Sequence, residues 1–162
     1  MIDLSLQQIQ KNSPYDITLS EAGLIFQTDN GIHYRISFDE EEIVLGGCKT
    51  YQFILFKVED IRTPHDPKIE DVVLAVINEF FRSNQYVLLY VCDTSDGKED
   101  SRNRLFLRWF EHHADPERFT ICTANAKVES ENIYIAIIVD KKNPRYLSII
   151  QDFEHTADIL GK

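Results

Sequence analysis

The sequence predicts an α+β fold: a single mixed, mainly antiparallel sheet in the element order βββ-α-β-α-ββ-α, with helices packed on its faces. Three observations carry this. Residues 24–28 and 32–38 flank Asp29-Asn30-Gly31, the signature of a β-hairpin. Ile69, Val72, Val73, Val76, Ile77, Phe80 and Phe81 recur at helical spacing and draw one continuous apolar stripe. Residues 86–92 are apolar without alternation, as expected of a central strand covered on both faces.

Element by element, residues 1–20 are polar and weakly patterned, with Asn12-Ser13-Pro14 as a breaker, and read as a short helix or an edge segment. In the hairpin, Asn30-Gly31 suits a type I′ turn, and Ile32, Tyr34, Ile36 and Phe38 alternate onto one face. The acidic run Asp39–Glu42 and the pair Gly46-Gly47 read as a loop, a solvated turn without the spaced ligands of a calcium site. Residues 51–58 form the third strand. Asp66 then caps a helix with Pro67 at its first position and Glu70 and Asp71 in its first turn; Asn84 closes it. After the strand at 86–92, a second helix begins beyond Gly97 and buries Leu105, Phe106, Trp109 and Phe110. Residues 119–128 and 133–139 make a second hairpin. Asn143-Pro144 opens a last helix carrying Tyr146, Ile149, Ile150, Phe153, Ala157 and Leu160.

Composition narrows the partners. The 162 residues fit a single domain spanning 1–162, with no repeat or linker. The charge of −10, from 27 acidic against 17 basic residues, disfavours nucleic acid and anionic membrane surfaces. No stretch reaches the roughly 20 apolar residues of a membrane span, and the first ten residues lack the basic start of a signal peptide. Cys48, Cys92 and Cys122 are an odd set without metal-like spacing, which points to reduced thiols and a cytoplasmic location.

The meander, helix, strand, helix and hairpin over residues 24–139 resemble the core of the N-acetyltransferase superfold. That resemblance implies an acetyltransferase-like topology, with a cofactor cleft between the strands at 51–58 and 86–92. The superfold's cofactor loop, Gln/Arg-x-x-Gly-x-Gly/Ala, would fall at residues 59–69. Arg62 could stand for its leading basic residue. No glycine follows, Pro64 and Pro67 each remove a donor, and Glu59, Asp60 and Asp66 would repel a pyrophosphate. At closer range, residues 87–98, Arg102-x-Arg104-Leu105-Phe106-x-x-Trp109-Phe110 and Asn143-Pro144-x-Tyr146 are similar to an uncharacterised family of small bacterial proteins found mainly in Bacteroidetes. That family implies no activity, cofactor or catalytic residue.

The turn after the central strand is where a site is expected in an α/β arrangement. Its candidate ligand-binding residues are Asp93, Ser95, Asp96, Arg102 and Arg104. Asp93-Thr94-Ser95-Asp96-Gly97 places an aspartate at a strand end, as phosphatases do, but its second aspartate is one residue late for their motif. An Asx turn with Ser95 or Asp96 capping the next helix is the simpler reading. Arg104 and Arg108, one helical turn apart, could clamp an anion or pair with neighbouring acids. Arg102 could pair internally with Asp93 or Asp96, or face a ligand. Cys92 would be a nucleophile only with His33 or His65 in reach; a buried cysteine acting as a small hydrophobe is the commoner case. His112 and His113 diverge around their helix and suit its C-terminal dipole better than a shared metal.

These readings lead to a small acidic protein with no catalytic or metal-binding residue and no cofactor expected. The preferred function is non-catalytic binding, with the turn and helix N-terminus at Cys92–Arg108 docking an anionic group or acidic segment of a protein partner; separately, the exposed edge strand of the first hairpin could pair with a second copy. The alternative is a diverged acyl-CoA-dependent N-acyltransferase, the one case in which coenzyme A would be a partner.

Overall fold

The computed structural model describes residues 2–93, 108–128 and 131–160; the side chains of residues 92–93, 126–128, 131–132 and 158–160 fall outside the description. The fold is α+β, with one mixed sheet of seven strands. In chain order the elements are α1 (Leu6–Asn12), β1 (Ile17–Ser20), β2 (Gly23–Gln27), β3 (His33–Leu45), β4 (Cys48–Lys57), α2 (Pro67–Ser83) and β5 (Val87–Asp93). A helical stretch at residues 108–113, here α3, is followed by β6 (Phe119–Val128), β7 (Glu131–Asp140) and α4 (Tyr146–Leu160). The sheet order is β1-β2-β3-β4-β5-β7-β6.

The chain divides into two compact units, Met1–Asp39 with Phe53–Asn84, and Glu40–Gln52 with Gln85–Lys162. In the first unit, the N-terminal residues form both a helix and an edge strand, so the order begins α-β ahead of the expected meander. Ser5 accepts a bond from the Gln8 N–H and caps α1, and Ile9 is fully buried. β1 pairs antiparallel with β2 from Ile17↔Phe26 to Ser20↔Gly23. The expected free edge of the first hairpin is therefore occupied by β1. At four residues, Ile17-Thr18-Leu19-Ser20, β1 is too short to declare a strand by its own pattern, and its ladder comes from β2.

The β2–β3 turn also differs from the expected type I′. The Gly31 N–H donates to the Thr28 carbonyl at 2.9 Å, which makes Asp29 and Asn30 the central residues, with Gly31 following at φ +80°. This is the turn-plus-left-handed-glycine hairpin. The alternation holds: Tyr34 stacks on Phe26, Ile36 is buried, and Phe38 stacks on Phe80. α2 starts as expected, with Asp66 accepting from the Lys68 N–H and Pro67 at the first position. Val72, Val73, Val76, Ile77 and Phe80 of its stripe are completely buried. Asn84 closes the helix through its side chain, donating to the Phe80 carbonyl at 3.0 Å from an extended backbone.

In the second unit, the acidic run is strand, not loop: β3 continues to Leu45, and the turn is Gly46-Gly47 alone. Both glycines have positive φ, +58° and +79°, the requirement of a two-residue type I′ connection. Glu40 pairs with Lys49 across the strands at 3.1 Å. β5 is the expected covered strand, with Val87, Leu88, Leu89 and Tyr90 all buried. It pairs parallel with β4 from Thr50↔Val87 to Gln52↔Leu89, and antiparallel with β7 from Leu88↔Ile138 to Asp93↔Ile133. β6 and β7 form the second hairpin without a bulge. Phe110 of α3 is buried against Phe119, while Leu105 and Phe106 lie outside the described residues. The unit's core joins Leu45, Cys48, Val87, Leu89, Ile137 and Val139 of the sheet to Ile149 and Phe153 of α4.

Candidate functional site

The site is built by the way α4 meets the second unit's sheet. Asn143 prepares the helix: its side-chain oxygen accepts from the Arg145 N–H at 2.9 Å, and its carbonyl accepts from the Tyr146 N–H at 3.0 Å. Three tethers hold the first half of α4. The Tyr146 and Thr120 hydroxyls share a bond at 2.6 Å, the Arg145 guanidinium donates to the Gly47 carbonyl at 2.9 Å, and the Gly46 N–H donates to Asp152 at 2.6 Å. Ile149 and Phe153 then bury their side chains in the core. Beyond Phe153 the stripe tapers. The positions three and four residues on are Thr156 and Ala157, and the facing β6 residue is Ala124. Three small side chains leave space where large ones would close it.

That space has two parts. An outer groove of about 560 Å³ is lined by Cys122, Thr123, Ala124, Asn125, Phe153, Glu154 and Ala157. An inner chamber of about 50 Å³ shares Ala124, Phe153 and Ala157 with it and is otherwise walled by Ile43, Leu45, Leu89, Ile135 and Ile137, with Thr50 and Thr156. Thr50 is fully buried, and its hydroxyl oxygen has no hydrogen-bond partner among the described residues. An unmatched buried hydroxyl costs about 1–3 kcal/mol. At the groove, burial pushes the Cys122 thiol up from its ordinary pKa, and the Glu154 carboxylate adds to the shift. The thiol is thus held protonated, which opposes its use as a nucleophile. Chemically, the arrangement can enclose the apolar part of a small molecule.

The residues expected from sequence lie elsewhere. Asp93 ends β5, its backbone opposite Ile133, and Cys92 precedes it opposite Tyr134. Ser95, Asp96, Arg102 and Arg104 lie outside the described residues, so neither an Arg102 pair nor an Arg104 clamp is among the observed contacts; Arg108 is helical and exposed. The two bases considered for Cys92 are each held by a carboxylate, His33 by Glu59 and His65 by Glu70 at 3.2 Å. His113 donates its Nδ1–H to the Trp109 carbonyl at 2.9 Å, a helix-end role.

The segment at residues 59–69 is likewise occupied. Asp66 spends one carboxylate oxygen on the Lys68 N–H at 3.0 Å and the other on the Tyr15 hydroxyl, so an acid already fills the N-terminus of α2. Lys68 is bound to Asp29 at 2.9 Å. Among the described residues no three His, Cys, Asp or Glu side chains gather as a metal site, and no helix is long and apolar enough to cross a membrane.

Sequence reasoning missed Thr50, Cys122, Ala124 and Glu154. One signal was present: the fall in side-chain size from Phe153 to Thr156 and Ala157 along the stripe of α4.

A family model described as a family of unknown function (DUF6169) matches residues 65–155, more than half of the chain, from the start of α2 into α4. No curated protein and no solved structure matches.

Proposed function

The chain belongs to this family of unknown function, DUF6169, and from that premise we propose that it is a non-catalytic binding protein whose groove between β6 and α4 takes the apolar part of a small molecule. The carrying observation is the inner chamber, walled by aliphatic side chains from β3, β5 and β7 and opening under three small residues. Much of that wall, including Leu89, Ala124, Ile135, Ile137 and Phe153, falls within the matched span. The test is a titration with the neutral dye Nile red. The wild type should give a saturable rise in emission. Ala124→Leu and Ala157→Leu, which fill the groove, should abolish it at unchanged melting temperature; a rise of equal amplitude in both variants would overturn the assignment.

A second reading, a diverged acyl-CoA-dependent N-acyltransferase, is favoured by one feature. It is that β4 and β5, the strands expected to flank a cofactor cleft, pair in parallel from Thr50↔Val87 to Gln52↔Leu89. The carboxylate of Asp66 at the N-terminus of α2 opposes it, because the donors that would hold a pyrophosphate already face an acid. Coenzyme A decides: at 100 times its dissociation constant it would stabilise the protein by about 2.7 kcal/mol. No change in melting temperature at millimolar coenzyme A would remove this reading.

A further inference from the structure

We infer that the groove binds a short-chain aliphatic amine, its alkyl tail in the inner chamber and its ammonium group beside the Glu154 carboxylate. This rests on the groove being a ligand site and adds the class of ligand. The tail follows from the chamber, which exposes only apolar surface, so a charged or polar end entering it would lose its hydration without compensation. At about 50 Å³ it has room for a few carbons, several times the ~10–15 Å³ that one water needs. The head follows from the groove, where Thr123, Asn125 and Glu154 stand beside Cys122. Among the described residues that line either part, Glu154 alone carries a charge, and no described cation pairs with it. The Cys122 thiol is protonated and adds none. The length follows from α4. Glu154 and Ala157 are three residues apart on this helix, so their Cβ atoms lie about 5–6 Å from one another, and Ala157 walls the chamber as well as the groove. A tail of roughly four to six carbons spans that distance and reaches into the chamber. Carboxylates and phosphate esters of the same length would bring like charge to Glu154 and are disfavoured; neutral alcohols gain nothing from it.

The experiment compares three probes of similar shape, pentylamine, 1-pentanol and pentanoate, by methyl NMR on isoleucine-labelled protein at pH 7 and low salt. Saturable shifts are expected at Ile135 and Ile137, which wall the chamber, with pentylamine binding most tightly and pentanoate least. Pentylamine should exceed 1-pentanol by roughly 2- to 5-fold, the range of an exposed ion pair. Glu154→Gln should abolish that preference and leave the affinity for 1-pentanol unchanged. Glu21→Gln, the same charge change outside the groove lining, should retain it. A preference that survives Glu154→Gln, or that Glu21→Gln removes equally, overturns the role of Glu154 and the ligand class while leaving the groove reading intact. Equal binding of pentylamine and 1-pentanol to the wild type does the same. Absence of saturable shifts with all three probes, while Nile red still binds in a groove-dependent way, overturns the chamber as the tail site. Failure of both dye and probes overturns the groove reading itself.

Discussion

Gly46 and Asp152 are joined by a charge-assisted hydrogen bond: the Gly46 N–H donates to Asp152 Oδ2 at 2.6 Å, so a carboxylate from the middle of α4 holds the β3–β4 turn. Asp152→Ala should cost about 1 kcal/mol and lower the melting temperature by about 2–4 °C. Gly46→Ala should be worse. Its φ of +58° is unfavourable for alanine, and an added Cβ would sit 2.6 Å from the Ile149 nitrogen. Thermal denaturation of the two variants checks the ranking; an alanine at position 46 that is harmless would contradict this packing of the turn on α4.

Glu79 provides an acid-sensitive tether in the first unit. Only 3% of its side chain is exposed, and it accepts bonds from the Arg82 guanidinium at 2.8 and 2.7 Å, the Ser83 hydroxyl at 2.6 Å and the Ser5 N–H at 3.2 Å. The Arg82 interaction above all, with Ser83 and Ser5, holds its pKa below the ordinary carboxylate value. The unfolded chain therefore binds this proton more readily than the folded one. The stabilisation is complete above the ordinary value and is lost as pH falls through the lower folded value. Glu79→Gln should cost about 1–3 kcal/mol at neutral pH and flatten the acid limb of a stability–pH curve measured by urea denaturation. An identical acid limb in wild type and variant would refute the tether.

Tyr15 gives the opposite dependence. Its hydroxyl donates to Asp66 Oδ2 at 2.5 Å and accepts from the Asp29 N–H at 3.3 Å. Burial first, then the Asp66 carboxylate, raises its pKa above the ordinary phenol value. Folding thus disfavours the phenolate, and stability should fall as pH rises through and beyond that ordinary value, about 10. Tyr15→Phe should lose about 1 kcal/mol at neutral pH. The difference in ultraviolet titration between wild type and this variant should place Tyr15 among the last tyrosines to ionise.

Cys122 should alkylate slowly. Its thiol is held protonated by burial and by Glu154, so iodoacetamide at pH 8 should modify it more slowly than it modifies free glutathione. Glu154→Gln should speed the reaction only modestly, because burial is the larger cause. Peptide mass spectrometry over a time course resolves this cysteine from the others. Modification as fast as that of glutathione would show that the groove does not shield the thiol.

Much of the fold was legible because its signals are local. The Asp66-Pro67 cap, the stripe from Val72 to Phe81 and the unbroken apolar run of β5 each depend on neighbours within a few residues. The misreadings have equally definite causes. Asp39–Glu42 carries a loop's composition, yet Gly46-Gly47 alone turns the chain and β3 extends through the acids. β1 is only four residues long, too short for its alternation to announce it, and exists through its ladder to β2. The buried Glu79 was invisible because its neutralising partners include Ser5, more than seventy residues away.

By itself, the sequence determined several places where chain direction and side-chain periodicity change: the start and stripe of α2, the β2–β3 and β6–β7 hairpins, the covered strand β5 and the turn glycines. These follow from short-range sterics and from the spacing of apolar residues. The tertiary structure alone decided that β7 lies between β5 and β6, and that Thr50 of β4, Ala124 of β6 and Ala157 of α4 wall the same space. A cavity is the volume that distant side chains fail to fill, and an unmatched hydroxyl is defined by partners that do not reach it. Neither can be read from any one segment, because each is set by packing among segments that meet only in the fold.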